Sequence, residues 1–312
     1  MACDAFAREQ LGGEVAPVAV QGVCSYTVYS GPNDEFAAQF RLKRSCMNMD
    51  TVNLARTIYG GLAPKVVFKG QIGEDVEGKE ALYIYVMDKI QGISYLDFIL
   101  APNNQFPENL VKFFALSWKS PQVVDQSYSN SLYNQYKSKL ELLLISLPDQ
   151  YHSLNQKFIS SLHAIFSLPM VLLHRDFGVC NIMVNKTTCN LVGVVDWAEA
   201  EVAPFGLNLH SHQQLISKVH LKSGWMRYNN YVTLEDIFWG TFNNKTRGLS
   251  NETVNTIEAA RNVGLLLSHG FSSHLSKTTE AVPIRDDESS AYNMRDLDGL
   301  LINPATRFID LA

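Results

Sequence analysis

Apolar and polar positions near the start of the chain alternate in short runs. Residues 15–20, 25–29 and 36–42 each read as strands. The Gly31-Pro32-Asn33-Asp34 stretch between the last two supplies a turn, so a three-stranded antiparallel start is predicted. The period then changes. From Met49 to Tyr59, Val52, Leu54, Ala55, Ile58 and Tyr59 recur at helical spacing, and the run stops at Gly60-Gly61 with Pro64 beyond. Strand-like runs return at 66–68 and 82–87, on either side of a charged, glycine-bearing turn at 70–80. Five strands and one crossover helix are predicted up to this point.

After Gly92 the pattern becomes helical at 95–100, 108–118, 131–147 and 154–166, with loops rich in Pro, Asn, Ser and Gln. A short β segment at 170–173 precedes a hairpin in which 181–184 turns through 185–190 into 191–195. Helices resume after Leu207. The clearest spans 251–268, where Val254, Ile257, Val263 and Leu267 share a face and Gly270 stands ready as a stop. The tail from Lys277, with Asp286-Asp287-Glu288, reads as a mobile surface segment. The change of character sets a boundary near residues 89–92, so residues 1–90 are predicted as a small sheet lobe and 91–312 as a larger, mostly helical one. The fold class is α+β.

Composition changes the picture modestly. At 312 residues the chain exceeds one ordinary core, which also favours two lobes with a cleft. Hydrophobic residues at 46% against 18% charged exclude overall disorder. With 26 Lys+Arg and 31 Asp+Glu, the net charge of −5 and the lack of a long basic run argue against a nucleic-acid surface. No apolar stretch reaches the roughly 18–20 residues of a spanning helix, and the first residues lack the basic-then-apolar order of a secretory signal, so no membrane partner and a cytoplasmic location are expected. Five cysteines, with no Cys-x-x-Cys pair, argue against a disulfide framework or a zinc site and are expected mostly as small buried hydrophobes.

The chemistry concentrates in His174-Arg175-Asp176-Phe177-Gly178-Val179-Cys180-Asn181-Ile182-Met183-Val184, followed by Val194-Val195-Asp196-Trp197. An apolar strand delivers an Asp into a turn, an Asn follows five residues later, and a second Asp closes the next strand. Phosphoryl transfer from a nucleotide needs such a set: a carboxylate to orient the attacking hydroxyl, and an amide and a carboxylate oxygen for the bridging metal. Magnesium, a hard cation, suits oxygen ligands of this kind.

These two segments, at this spacing after five strands and a helix, resemble the catalytic and metal-binding segments of the aminoglycoside phosphotransferase and choline-kinase-like family, small-molecule relatives of the protein kinases. The resemblance implies a bilobal protein-kinase-like fold, ATP and magnesium as cofactors, and a small organic molecule as acceptor. It implies Asp176 as catalytic base, Asn181 and Asp196 as magnesium ligands, and His174 as a prop for the catalytic turn. Arg175 stands within that turn where small-molecule kinases usually have Gly, but no Ala-Pro-Glu end of an activation segment follows Asp196. Asn208-Leu209 stands where the family commonly shows Asp-Leu.

Other parts are placed by position. Tyr85-Val86-Met87-Asp88-Lys89-Ile90 looks like a hinge, with backbone groups around Asp88 and Ile90 on adenine and Met87 lining its pocket; an ordinary strand running into a turn is the alternative. Gly22 and Ser25 lie in the loop expected over the phosphates. Gln39, Arg41 and Lys43 alternate onto one strand face, and Arg41, which keeps its charge and can fork onto two oxygens, is preferred as the phosphate cation. Asp50 is placed either as the acid anchoring that cation or as a helix N-cap. Glu199 and Glu201 are read as acceptor-facing or as solvated carboxylates. His210, His212 and His220 form no zinc set and are assigned to the surface or a substrate pocket. Trp225, Tyr228, Tyr231, Phe238 and Trp239 are either core or an aromatic wall for the acceptor. Against phosphoryl transfer stands one alternative, a kinase-like scaffold used for binding or for diverted chemistry.

Overall fold

A computed structural model describes residues 2–76, 79–101, 106–107, 109–220, 223–272 and 281–311. The chain divides into two compact units, residues 1–109 with 174–201, and residues 110–173 with 202–312.

The first unit opens with a helix that the sequence pattern did not announce, α1 (Ala2–Leu11). Then come β1 (Ala16–Pro17), β2 (Ser25–Ser30), β3 (Phe36–Leu42), α2 (Met49–Tyr59), β4 (Val66–Ile72) and β5 (Leu82–Asp88). The five strands form one antiparallel sheet in the order β1-β2-β3-β5-β4, with Thr27 opposite Gln39 and Gln39 opposite Tyr85. Because side chains alternate along a strand, the sheet has two different faces. Val28, Ala38, Phe40, Ile84 and Val86 pack against Cys3 and Ala7 of α1. The intervening residues Ser25, Thr27, Gln39 and Arg41 occupy the other face.

β1 is two residues long, although a six-residue strand was expected. The cause is local. Gln21 folds back so that its Oε1 accepts the Thr27 N–H at 2.8 Å, the group a strand neighbour would take, while its Nε2 joins the Val18 amide on the Thr27 carbonyl at 2.9 Å. The α2 helix matches its expected limits. Its N-cap is Asn48, whose Oδ1 accepts from the Asp50 and Thr51 amides at 3.0 and 3.3 Å, and Gly60 ends it with φ +56.

β6 (Ile93–Ser94) and α3 (Tyr95–Leu100) follow, before the chain enters the second unit as α4 (Leu110–Trp118), α5 (Gln126–Ser146), α6 (His152–Ile165) and β7 (Met170–Leu173). The α5 helix starts five residues earlier than its apolar period, because Asp125 caps a polar first turn by accepting the Tyr128 amide at 2.7 Å. Back in the first unit, β8 (Ile182–Val184) and β9 (Leu191–Val194) form the expected hairpin, with β6 joined to β8.

The second unit resumes at Val202, within β10 (Glu201–Pro204), which pairs with β7, and continues with α7 (His210–Leu215) and an unanticipated hairpin of β11 (Ser217–His220) and β12 (Gly224–Arg227). The helices α8 (Tyr231–Thr246), α9 (Asn251–His269) and α10 (Ala291–Leu297) complete it. Gly264 is required in α9: a Cβ there would lie 1.7 Å from the Leu207 carbonyl oxygen, so helix and loop touch backbone to backbone.

Two expectations are corrected. The tail is not a mobile surface segment over residues 281–311: Leu297, Leu300 and Phe308 are buried, and Asp310 pairs with Arg261 and accepts from Asn262 at 2.8 Å. The rest of the expected mobile segment, residues 277–280, lies outside the described residues. The cysteines are all free, but only Cys3 and Cys189 are buried, while Cys24, Cys46 and Cys180 are exposed. The architecture is the α+β class expected, an antiparallel sheet near the N-terminus and a mostly helical remainder.

Candidate active site

The polar face of the β2–β3 pair carries a continuous hydrogen-bonded chain. The Gln39 amide nitrogen donates to Ser25 Oγ at 3.1 Å and to Thr27 Oγ1 at 3.3 Å, and its Oε1 accepts the Arg41 Nε–H at 2.9 Å. The Arg41 guanidinium, only 3% exposed, continues through Nη1 to the Ser45 carbonyl at 3.1 Å and through Nη2 to Asp196 Oδ1 at 2.7 Å. A buried cation therefore meets a carboxylate that is one-third exposed. Of the three candidate strand residues, Arg41 reaches the second Asp, Gln39 holds Arg41, and Lys43 lies exposed beyond the strand.

Asp50 is corrected in both of its expected roles. It sits exposed in the first turn of α2, the cap is Asn48, and the carboxylate on Arg41 belongs to Asp196. Two residues of helix register decide this: the cap falls on Asn48, so Asp50 lies past it and is exposed.

The turn after His174 is tied down at each step. Asn181 directs both hydrogens of its amide to Asp176, one to the backbone carbonyl and one to Oδ2, each at 2.8 Å. Only an NH2 group can meet two acceptors, so the Asn181 Oδ1 is the atom left for a cation. The Gly178 N–H closes on the Asp176 carbonyl, and the Asn181 carbonyl accepts from the Val195 N–H at 2.9 Å, joining this turn to the one before Asp196. Asp196 itself has φ +61 and ψ 68, a left-handed backbone that few residues other than glycine hold, and the neighbouring Trp197 braces it. The Trp197 Nε1–H donates to the Val194 carbonyl at 2.9 Å, and its buried ring lies 4.9 Å from Tyr59 and 4.8 Å from His174.

His174 is buried, with Nε2 2.9 Å from the Val195 carbonyl. Burial holds its pKa below the ordinary 6.5, so the ring is neutral, Nε2 carries the hydrogen and Nδ1 has no partner among the described residues. Arg175 pairs with Glu201 at 3.0 Å, whereas Glu199 is exposed.

The segment after β5 is also strongly constrained. The Asp88 and Lys89 amides donate to the carbonyls of Lys65 and Glu35, Met87 is buried, and Lys89 pairs with Asp34 and lies over the Tyr29 ring. The Ile90 amide makes no hydrogen bond among the described residues, and its side chain lies where a Cβ on Gly193 would fall, 2.3 Å from the nearest Ile90 carbon. An open pocket of about 390 Å3 is lined by Arg56, Pro64, Asp88, Ile90 and Val192 among others. None of Ser25, Arg41, Asp176, Asn181 or Asp196 lines it, so the polar face and the carboxylate turns, rather than this cavity, hold the groups suited to chemistry. Gly22 and Val23 stand exposed in the loop before β2.

In the second unit His210 and His212 are buried, correcting their assignment to a surface or pocket, and His220 is exposed on β11. His210 Nδ1 donates to the Leu207 carbonyl at 2.9 Å, and His212 lies 2.9 Å from Glu235 and stacks on Phe238. Among the described residues no three His, Cys, Asp or Glu side chains are grouped to hold a metal. Trp225, Tyr231 and Phe238 are core, with the Trp225 Nε1–H on Asp296 at 2.8 Å and a Cβ at Gly299 excluded by its ring.

The sequence pattern did not single out Thr27 or the bridging role of Gln39. The period-two polar pairs Ser25-x-Thr27 and Gln39-x-Arg41, facing each other in antiparallel register, were the available signal.

Residues 60–209 match the model of the phosphotransferase enzyme family. The match includes the turns at 174–181 and 194–197 and leaves residues 22–59, with Ser25 and Arg41, outside it. No curated protein matches. Among solved structures, similar folds include the GDP complex of wild-type aminoglycoside 2'-phosphotransferase-IIIa (12% identity, 94% of this chain and 95% of that one, TM-score 0.57). A choline/ethanolamine kinase family protein from Mesorhizobium loti aligns with 16% identity over 97% and 95% of the two chains, TM-score 0.53. These likenesses establish the protein-kinase-like fold. No described helix is long and apolar enough to cross a membrane.

Proposed function

We propose that the chain transfers the terminal phosphoryl group of ATP to a hydroxyl or amine of a small organic molecule. The observation that carries this reading is the chain Arg41–Asp196 together with Asn181 locked on Asp176: a buried cation, two oxygen donors and a free carboxylate edge on adjoining turns. Asp176 takes the role of base, orienting the acceptor group and receiving its proton as the bond to phosphorus forms. Arg41 meets the phosphates from the strand face, and the exposed amides near Gly22 cradle them. Met87 and the backbone of Asp88 and Ile90 receive the adenine, Asp88 through its carbonyl and Ile90 through its amide. His174 and Arg175 act on the turn from behind, the first by fixing the Val195 carbonyl and the second by its pair with Glu201.

Asn181 Oδ1 and the exposed Asp196 carboxylate suit magnesium, which keeps waters and phosphate oxygens in its shell and needs only one or two carboxylates from the protein. Bound there, it would neutralise charge on the phosphates. The base, the positioning and the cation come from the chain itself, and no covalent intermediate on the protein is required.

Ligand linkage provides the first test. Magnesium and ATP together should raise the melting temperature by an amount that grows with nucleotide concentration. Labelled ATP incubated with a metabolite extract should then give a labelled small molecule. A protein that is stabilised by nucleotide but labels nothing would be a binding scaffold, and one that is not stabilised would not be a kinase.

A further inference from the structure

Gln39 is 8% exposed, and all of its hydrogen-bonding atoms are engaged between the candidate phosphate loop and Arg41. Its orientation is dictated. A guanidinium can only donate, so Oε1 must face the Arg41 Nε–H, and the NH2 group is thereby turned on Ser25 and Thr27. Each hydroxyl then receives a hydrogen from Gln39, and its own hydrogen must point elsewhere. Ser25 and Thr27 are both half-exposed, two residues apart on one strand, on the face that bears Arg41.

We propose that Gln39 is a positioning residue of the phosphate site: it holds Ser25 and Thr27 as outward hydrogen-bond donors beside Arg41, forming a donor row for the oxygens of a nucleoside triphosphate. The inference rests on the nucleotide reading above. It adds that the polarity of the row, not only its positive charge, is set by one buried amide. Such donors need no reorientation when an anion arrives, which is what preorganisation requires.

Three variants test it, with affinity for magnesium-ATP measured by calorimetry and KM for ATP and kcat from turnover. Gln39→Met removes the amide at similar volume. Gln39→Glu keeps the size and the acceptor for Arg41 but offers the hydroxyls only acceptors, pulling their hydrogens inward. Ser25→Ala/Thr27→Val removes the row itself without touching the buried residue. About a tenfold loss of magnesium-ATP affinity is expected for Gln39→Met and a larger one for Gln39→Glu, both as a rise in KM with kcat largely kept. In the Ser25→Ala/Thr27→Val background the Gln39 substitutions should add less than twofold.

Full penalties for the Gln39 substitutions in that background would overturn the inference, since Gln39 would then act through Arg41 or the core. So would wild-type affinity in Ser25→Ala/Thr27→Val, which also covers the case of a Gln39 variant that fails to fold. A wild type that binds no magnesium-ATP would overturn the nucleotide reading and this inference together, whereas a wild type that binds while the variants match it overturns this inference alone.

Discussion

Two polar networks, one in each compact unit, are each built around a glutamine that accepts from an arginine, and they end differently. In the second unit, Gln213 donates to Glu235 at 2.6 Å and accepts from Tyr231 at 2.6 Å and Arg227 at 3.2 Å, while Arg227 also donates to the Thr306 carbonyl at 2.5 Å. Among the described residues each of these bonds ends on another protein group, and the network anchors the C-terminal segment to β12 and α8. The network of the first unit runs from Ser25 and Thr27 through Gln39 and Arg41 and stops at a carboxylate one-third exposed. A sealed network fixes a fold. An open one, held rigid at its buried end, presents groups in fixed positions that solvent or a ligand can reach.

That contrast can be broken most severely at Asp176. The Asp176→Asn variant should lose about 10³-fold in kcat, roughly 4 kcal/mol of transition-state stabilisation, with magnesium-ATP affinity retained. Full turnover in steady-state assays would remove it as the base. Next is the sealed network: Glu235→Leu strips the partner from the buried Gln213 amide and from His212, and should destabilise the protein by about 3 kcal/mol in urea unfolding. KM and kcat of the still-folded fraction should stay unchanged; a selective loss of activity would show that this network, too, serves the reaction. Third, Asp196→Asn should weaken magnesium-ATP binding by on the order of tenfold or more, about 1.4 kcal/mol, in calorimetry.

The fourth outcome depends on pH. Burial lowers the His174 pKa, so the unfolded chain binds a proton more readily than the native one below the ordinary 6.5. Its contribution is complete above that value and is lost as pH falls, by at most about 1.4 kcal/mol per unit. Comparing unfolding midpoints of wild type and His174→Gln, which keeps a donor for the Val195 carbonyl, should show a shallower acid slope in the variant. Parallel slopes would mean that His174 is already charged in the native state. The smallest effect is expected at Asp50, where an exposed carboxylate beyond the cap should cost no more than about 0.5 kcal/mol on replacement by Ala and should leave KM for ATP alone.

The helix Met49–Tyr59 and the hairpin after residue 181 were legible in the sequence because period and stop signals coincided there. That the turns at 174–181 and 194–197 are neighbours was legible because they flank one hairpin, across which the Val195 N–H meets the Asn181 carbonyl; the roles of Asp176, Asn181 and Asp196 belong to the proposed function. Arg41 could be ranked but not placed, since its partner is 155 positions away. Asp50 was misplaced by a helix register that Asn48 decides. The first helix escaped notice because only Cys3 and Ala7 are buried on it, too few to mark a period. His210 and His212 went astray for the opposite reason: the burial of one is offset by a hydrogen bond to the Leu207 carbonyl and that of the other by its pairing with Glu235, partners that spacing cannot reveal.

The contact between Ile90 and Gly193 has a mechanical consequence. With no room for even a methyl group between them, β9, which leads into Asp196, and the segment proposed to grip adenine are packed directly on one another. On the function proposed above, a base seated against that segment would bear, through Gly193, on the strand that leads to Asp196, so the fit at one end of a nucleotide would be felt at its other end.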